Sequence, residues 1–415
     1  MTDRSSPWWR RVLAVTATFA GLLPFLAAPP AAGDGTTEIS GEVGVEGRFF
    51  FLNPLFSGQQ RASGSLFGEV EYVHESKNGN RFTIKPFARW DSADSRRSHF
   101  DLREAVGLFL FGDFELRVGV SKVFWGVTES VHLVDIVNQT DFIENVDGEQ
   151  KLGQPMAYLS LARKWGTIDL FYLPYFRERT FAGTGGRLRP ALDVVTRKRT
   201  FESDMKNWHP DFAARYSHSF GKFDVGLSYF RGTSRDPDLM LSILGGKPVL
   251  IPDYPLIDQV GMTTQYTTGP WLLKLEGLYR KGQRDARGRR RGYVAGAAGV
   301  EYTIYSIFKT KGDLGMLAEY LYDSRQRDAS SAFQNDFFFG LRWTANDTQD
   351  TTVLVGLVQD INGSSRNIFV EASRRIGERF KFEAEARFFM NPKRRGQLYN
   401  LRRDHFVQLK LVYGF

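Results

Sequence analysis

The chain has 415 residues, a formal charge of +8, 25% charged and 14% aromatic residues, and no cysteine. Zero cysteine excludes a disulfide framework and any thiolate metal site. The basic excess gathers in a few loop-like stretches instead of along a helix or arm, which argues against nucleic acid as a partner.

Arg4, Arg10 and Arg11 precede an apolar run from Val12 to Ala28, and Ala31-Ala32-Gly33 follows with small residues. This pattern predicts an export signal over 1–33 and a mature chain beginning near Asp34, with 34–415 as one domain. Beyond it no apolar run approaches the ~20 residues of a spanning helix. An exported chain rich in alternating strands is then either a soluble β protein or a membrane barrel, since only a closed barrel or a helix satisfies its backbone in lipid.

The first strand is predicted over Ile39 to Phe51, with Val43, Val45 and Phe49 on one parity and Glu42, Glu46 and Arg48 on the other. The second, Ser63 to Glu75, sets outward Leu66, Val70 and Tyr72 against inward Glu69 and Glu71. Asn78-Gly79 is a strong hairpin signal, and the third strand, Phe82 to Trp90, faces Lys85 and Arg89 away from Phe82, Ile84 and Ala88. His99 to Phe111 forms the fourth. The fifth starts at Phe114 and opposes Leu116, Val118 and Val120 to Glu115 and Arg117.

The rhythm continues. Long connections are predicted at Gly126 to Pro155, Phe176 to Pro210, Gly232 to Pro255, Gln283 to Gly292, Asp323 to Ala332 and Asn391 to Arg403, with a shorter one at Asp360 to Ser364. Compact turns fall between them at Trp165-Gly166, Phe220 to Lys222, Thr268 to Pro270, Asn346 to Asp350 and Gly377-Glu378, with a longer one at Ser306 to Gly312. Alternating long and short connections are the asymmetry of an all-β antiparallel transmembrane barrel, here of about 18 strands with both termini on the short-turn side.

The last ten residues agree. Counting back from Phe415, Tyr413, Leu411, Leu409 and Val407 are apolar, while Gly414, Lys410 and Gln408 hold the other parity. Such an ending resembles the closing strand of bacterial outer-membrane barrels, which implies recognition by the barrel-assembly machinery. Trp165, Trp271 and Trp343 lie beside short turns, and Trp90 and Trp125 at the opposite strand ends, which predicts two aromatic girdles. Charges inside later strands (Lys274, Glu276 and Arg280; Lys381, Glu383, Glu385 and Arg387) keep to the parity opposite the apolar set. An Arg or Lys facing lipid at the midplane costs about 2–4 kcal/mol, so these residues are expected in the lumen.

A barrel this wide encloses an aqueous channel unless it is plugged. The stretch Gly126 to Pro155 mixes Val127, Val131, Leu133, Val134, Ile136 and Val137 with Glu129, Asp135, Asp141 and Glu144. Being too apolar for easy disorder, it is expected to fold inside. Leu133 and Ile136 would pack on the wall, and Asp135 and Asp141 would meet basic wall residues.

Gly119 to Glu129, with Trp125-Gly126, followed by Leu133 to Asp141, resembles the strand-to-loop signature of proteobacterial porin-like proteins. That signature has a Gly, a Trp-Gly, an acid, then Leu-x-Asp-x-x-Asn-Pro-x-Asp; Gln139 stands where the family usually carries Pro. The resemblance covers one loop and its strand and implies an outer-membrane channel. The strand count is also similar to sugar-specific porins and the alginate-export barrel, at the level of architecture.

The expected pore set is Trp125, Gly126, Glu129, His132, Asp135, Asn138 and Asp141 on the loop, with Lys85, Arg89, Arg117, Lys274, Arg280, Lys381, Glu383 and Arg387 on the wall. Acidic loop against basic wall would set selectivity. Three basic clusters, Arg177 to Lys206, Arg284 to Arg291 and Lys393 to Arg403, suggest either a funnel for anions or contact with lipopolysaccharide phosphates. Six scattered histidines do not assemble a catalytic set; Glu129, His132 and Asp135 would approach one another only on a helical turn.

No cofactor, metal or enzymatic activity is expected. The reading is a passive porin for small, anionic or polar solutes in contact with outer-membrane lipid and lipopolysaccharide, with a homo-oligomer as one possibility. Export of an anionic polysaccharide is the alternative, and a barrel enzyme or adhesin the second.

Overall fold

The computed structural model describes residues 35–394 and 396–415; the predicted export signal and Arg395 lie outside them. Twenty-one strands follow in chain order. They are β1 Gly35–Phe50, β2 Ala62–Ser76, β3 Arg81–Asp91, β4 His99–Phe111, β5 Phe114–Ser121, β6 Gln154–Arg163 and β7 Gly166–Leu173. Next come β8 Thr200–Phe201, β9 Asp211–Phe220, β10 Phe223–Thr233, β11 Asp238–Leu244, β12 Lys247–Tyr254, β13 Leu256–Thr268 and β14 Trp271–Lys281. The last are β15 Tyr293–Ile304, β16 Asp313–Asp323, β17 Asn335–Thr344, β18 Thr352–Asp360, β19 Arg366–Ile376, β20 Phe380–Met390 and β21 Phe406–Gly414.

Eighteen of these form one closed sheet. Each barrel strand pairs antiparallel with its neighbour in the chain, and β21 returns to β1 in the register Glu42↔Gly414 to Phe50↔Phe406. Phe415 completes the seam: its N–H donates to the Gly41 carbonyl at 3.0 Å, and the Gly41 N–H donates back at 3.0 Å. Closure leaves no unpaired edge on the wall. The remaining strands, β8, β11 and β12, make a small separate sheet in the fourth and fifth long connections, where only loops were expected.

Long and short connections alternate as predicted, with one blurred place: 305–312 on the short side is longer than 361–365 on the long side. At the hairpin after β2, Gly79 takes φ +82°, which suits glycine. Pro86 cannot donate to the ladder, and the β3–β4 register slips there: Lys85 faces Glu104, Pro86 faces Leu102, and Arg103 is left over.

The parity assignments hold. On β1, Val45 and Phe49 are exposed while Glu46, Arg48 and Phe50 are buried; on β21, Leu409 and Leu411 are exposed while Gln408 and Phe406 are buried. Exposed Leu273 and Leu275 on β14 and Phe337, Phe339 and Leu341 on β17 continue the same outer band. A continuous apolar exterior is untenable in water and is the wall of a transmembrane barrel. No helix among the described residues is long and apolar enough to cross a membrane.

Trp165, Trp271, Trp343 and Trp90 face outward at the strand ends. Trp125 does not. It is buried inside the barrel, its ring 5.5 Å from that of Phe171. The girdle assignment fails there because Trp125 lies beyond the end of β5, where strand parity no longer fixes which way a side chain points.

Candidate lumen site built on the third loop

The third long connection, 122–153, runs inside the barrel and divides into two lobes. Asn138 ties its base. The Asn138 Oδ1 accepts from Val123 N–H at 2.9 Å, while Nδ2 donates to the carbonyls of Ser121 and Leu152, each at 2.9 Å. One buried amide thus fixes the loop where it leaves β5 and where it returns toward β6. Gln139, standing in the usual Pro position of the resembled signature, accepts from Arg179 at 3.4 Å and donates to the Arg177 carbonyl at 3.3 Å, which joins the fourth loop to the third.

The first lobe, 124–137, is held by apolar packing and by two wall carboxylates. Trp125, Val134, Ile136 and Val137 pack with Met156, Phe171, Ala213, Phe230 and Ile257 of the wall. Val131 and Leu133 pack against Ala297, Leu317, Phe338 and Phe369. Leu133 and Ile136 therefore sit as expected. Each fully buried side chain of this size contributes about 1.5–3 kcal/mol.

Glu276 on β14 accepts from Val127 N–H at 2.6 Å, Thr128 N–H at 3.0 Å and Val134 N–H at 3.3 Å. Glu319 on β16 accepts from Glu129 N–H at 2.7 Å and Ser130 N–H at 2.9 Å. A turn that runs through the lumen has orphan amide donors, and two carboxylates supply acceptors for them. Gly126 makes room here: a Cβ would lie 2.6 Å from both His132 Nδ1 and the Phe124 ring and would push one of these side chains aside.

The second lobe, 139–150, is held by arginines. Arg89 grips both oxygens of Glu144 at 2.8 and 2.7 Å and also reaches Glu46 at 3.2 Å. Arg48 donates to the Glu144 carbonyl at 2.7 Å, and Arg97 to the Ile143 carbonyl at 2.8 Å. Arg387 joins Asp147 at 3.3 Å, and Asn145 donates to Glu385 at 2.9 Å. Burial would raise the Glu144 carboxyl, but Arg89 and Arg97 hold it below its ordinary value. Asp141 has the reverse balance, pushed up by burial and by neighbouring Glu144.

His132 and Glu149 link the lobes: Nε2 lies 2.9 Å from Glu149 Oε1, and the imidazole stands edge-on to Phe124 at 4.7 Å.

Several expected pairings are not formed. Asp135 meets Lys151 of its own loop at 3.1 Å, and Asp141 accepts from Thr180 of the fourth loop at 2.7 Å; neither meets a basic wall residue. Glu129, His132 and Asp135 do not converge, because the segment is not helical. Glu129 pairs with Arg342 at 2.5 Å, and the other two find Glu149 and Lys151. On the wall, Arg117 pairs with Glu115, Lys85 with Glu69, Lys274 with Glu301 and Lys381 with Glu383, all wall to wall. Arg280 reaches Asp236 of the fifth loop at 3.0 Å. Only Arg89 and Arg387 of the predicted basic wall set grip the third loop.

Glu276, Glu319, Arg342, Arg48, Arg97, Glu385, Glu144 and Asp147 are anchors missing from the predicted set. Their signal was present: Glu319 is an acid on the inward parity of an otherwise apolar stretch, Met316 to Tyr320. His99, Asp141 and Glu144 each bring one ligand-type atom within 4.8 Å of the others, yet both Glu144 oxygens already accept from Arg89.

The 284–291 cluster is paired throughout, the 177–206 cluster about half, and in the last cluster Lys393 pairs with Asp360. Arg287 and Arg289 pair with Asp328, Arg290 with Glu202 and Arg284 with Asp238. Arg177, Arg179 and Arg187 pair with Asp101, Asp236 and Asp404.

No protein-family model and no curated protein sequence matches the chain. Among solved structures it is similar to a mutant of Rh. blastica porin, with 11% identity and a TM-score of 0.42, covering 92% of this chain and 100% of that one. It is also similar to a loop-deletion mutant of OmpT, an outer membrane protein of Vibrio cholerae, with 9% identity, a TM-score of 0.46 and the same coverage.

Proposed function

We propose that the chain is a passive, non-enzymatic diffusion channel of a bacterial outer membrane, narrowed by its third loop and passing small polar solutes. The observation that supports this reading is a loop anchored across a closed lipid-facing barrel by wall carboxylates on one side and wall arginines on the other. Trp125, Gly126, His132 and Asn138 shape the loop; Glu129, Asp135 and Asp141 with Lys85, Arg89, Arg117, Lys274, Arg280, Lys381, Glu383 and Arg387 give the lumen its charge. Lipid and lipopolysaccharide surround the wall, the terminal strand engages the assembly machinery, and copies of the chain associate in the membrane.

An anion funnel and an anionic-polysaccharide exporter both need rows of uncommitted lumen cations, and most lumen arginines, Arg89, Arg235 and Arg280 among them, are spent on ion pairs. Single-channel conductance in planar bilayers tests the reading. The assembled protein should open discrete, ohmic pores, and removal of 131–145 should enlarge them. An assembled barrel that passes no current would refute it.

A further inference from the structure

The lumen carries a surplus of fixed negative charge although the chain is basic, and we infer that the channel prefers cations, organic and inorganic. This deepens the channel reading and rests on it. Glu42, Glu104, Glu276 and Glu319 all point inward, and among the described residues none has an ion-pair partner. Glu42 continues the inward parity of Glu46 and Arg48, and Glu104 lies directly across from Lys85. Glu276 and Glu319 are satisfied by backbone amides, which offset their desolvation but leave their charge in place.

Against them, among the described residues of the inner wall and third loop, stand two inward cations without an ion pair, Lys122 and Arg215. Lys85 is shared between two acids, Glu69 at 3.0 Å and Glu71 at 3.7 Å. The register sharpens the point. Glu42 sits directly opposite Glu69, and Glu371 directly opposite Glu385. Like charges in facing positions of an antiparallel pair are destabilising. One cation, Arg387, is shared by both members of the Glu371–Glu385 pair, and in the Glu42–Glu69 pair only Glu69 has an ion-pair partner, so each facing pair keeps a net negative charge that attracts a passing cation.

Fixed charge on a narrow, low-dielectric wall focuses counter-ions, and rings of acids are the usual lining of cation pores. A cation-to-anion permeability ratio of roughly ten is expected at low salt. It should fade near 1 M, where the screening length falls to about 3 Å.

The test is the reversal potential of the full-length protein in planar bilayers under a KCl gradient. The sign should be that of potassium permeation. The double variant Glu42→Gln, Glu104→Gln should cut the permeability ratio to roughly a third, and Arg215→Gln, which removes a cation, should raise it. Anion preference in the native channel, or a ratio that neither variant moves, overturns the inference while leaving the channel intact. Heat-modifiable, assembled protein without conductance instead overturns the channel reading, and the two failures are told apart by the current itself.

Discussion

The two lobes of the third loop are fixed by different physics. The first buries Trp125, Val134, Ile136 and Val137 and lends its amides to Glu276 and Glu319. The second has few apolar anchors and hangs on Arg89, Arg97 and Arg387. Apolar burial does not depend on any one charge, whereas a buried arginine–carboxylate pair is lost when either partner is neutralised. One lobe is a shelf set mainly by burial and the other an arm held by arginines, so removing a wall arginine that grips Glu144 or Asp147 should move the second lobe and spare the first.

Deleting 131–145 removes the inner parts of both lobes and should have the largest effect, a several-fold rise in unit conductance with loss of ion preference. Single-channel recording checks this, and an unchanged unit conductance would place the loop outside the ion path.

Arg89→Ala comes next. It leaves Glu144 buried without its main cation, while Glu46 keeps Arg48 and Arg97, and breaking a buried pair costs about 3–5 kcal/mol. The second lobe should loosen, seen as open-channel noise and as new proteolytic cleavage near 144–149. The same variant should leave cleavage near 125–134 unchanged if the lobes are independent.

Glu276→Ala leaves three amide donors of the first lobe without an acceptor, at about 1–3 kcal/mol each before water or a neighbour compensates. Glu276→Gln keeps one acceptor oxygen and should recover part of the loss in thermal stability. Equal destabilisation by the two variants would assign the effect to charge and not to hydrogen bonding.

The smallest effect belongs to the contact between the lobes. Burial lowers the His132 imidazole, but Glu149 more than offsets this and raises it; burial raises the Glu149 carboxyl, and His132 brings it below its ordinary value. A raised histidine contributes fully below its ordinary value of about 6.5 and loses that contribution as pH climbs through the folded value. A depressed carboxyl contributes above about 4.3 and loses its share as pH falls through the folded value. The link is therefore strongest between those limits and weakens toward alkaline pH. Gating noise should grow as pH rises from 6 to 9, by less than about 1 kcal/mol in lobe association, and His132→Gln should flatten the dependence. Lys151 and Arg387 also act on Glu149, and Glu276 and Asp135 on His132, so a residual slope from these groups is expected.

The wall was legible in the sequence by itself. The period-two alternation of β1, β3 and β21, the Asn78-Gly79 turn and the long-short rhythm of connections are local properties, and each was found where expected. A strand's period is fixed by backbone geometry, and lipid outside with water inside leaves one parity for each class of side chain. The inward course of the third loop was legible too, from an apolar content that solvent would not tolerate. Its attachments were not. That Asp135 turns to Lys151 and Asp141 to Thr180, while Glu144 and Asp147 take the wall arginines, depends on where 122–153 crosses strands far away in the chain. Beyond the last residue of β5 no periodicity fixes direction, as Trp125 shows by turning inward. There the choice among many carboxylates and cations of similar reach falls to the closed barrel, which sets the distances between them.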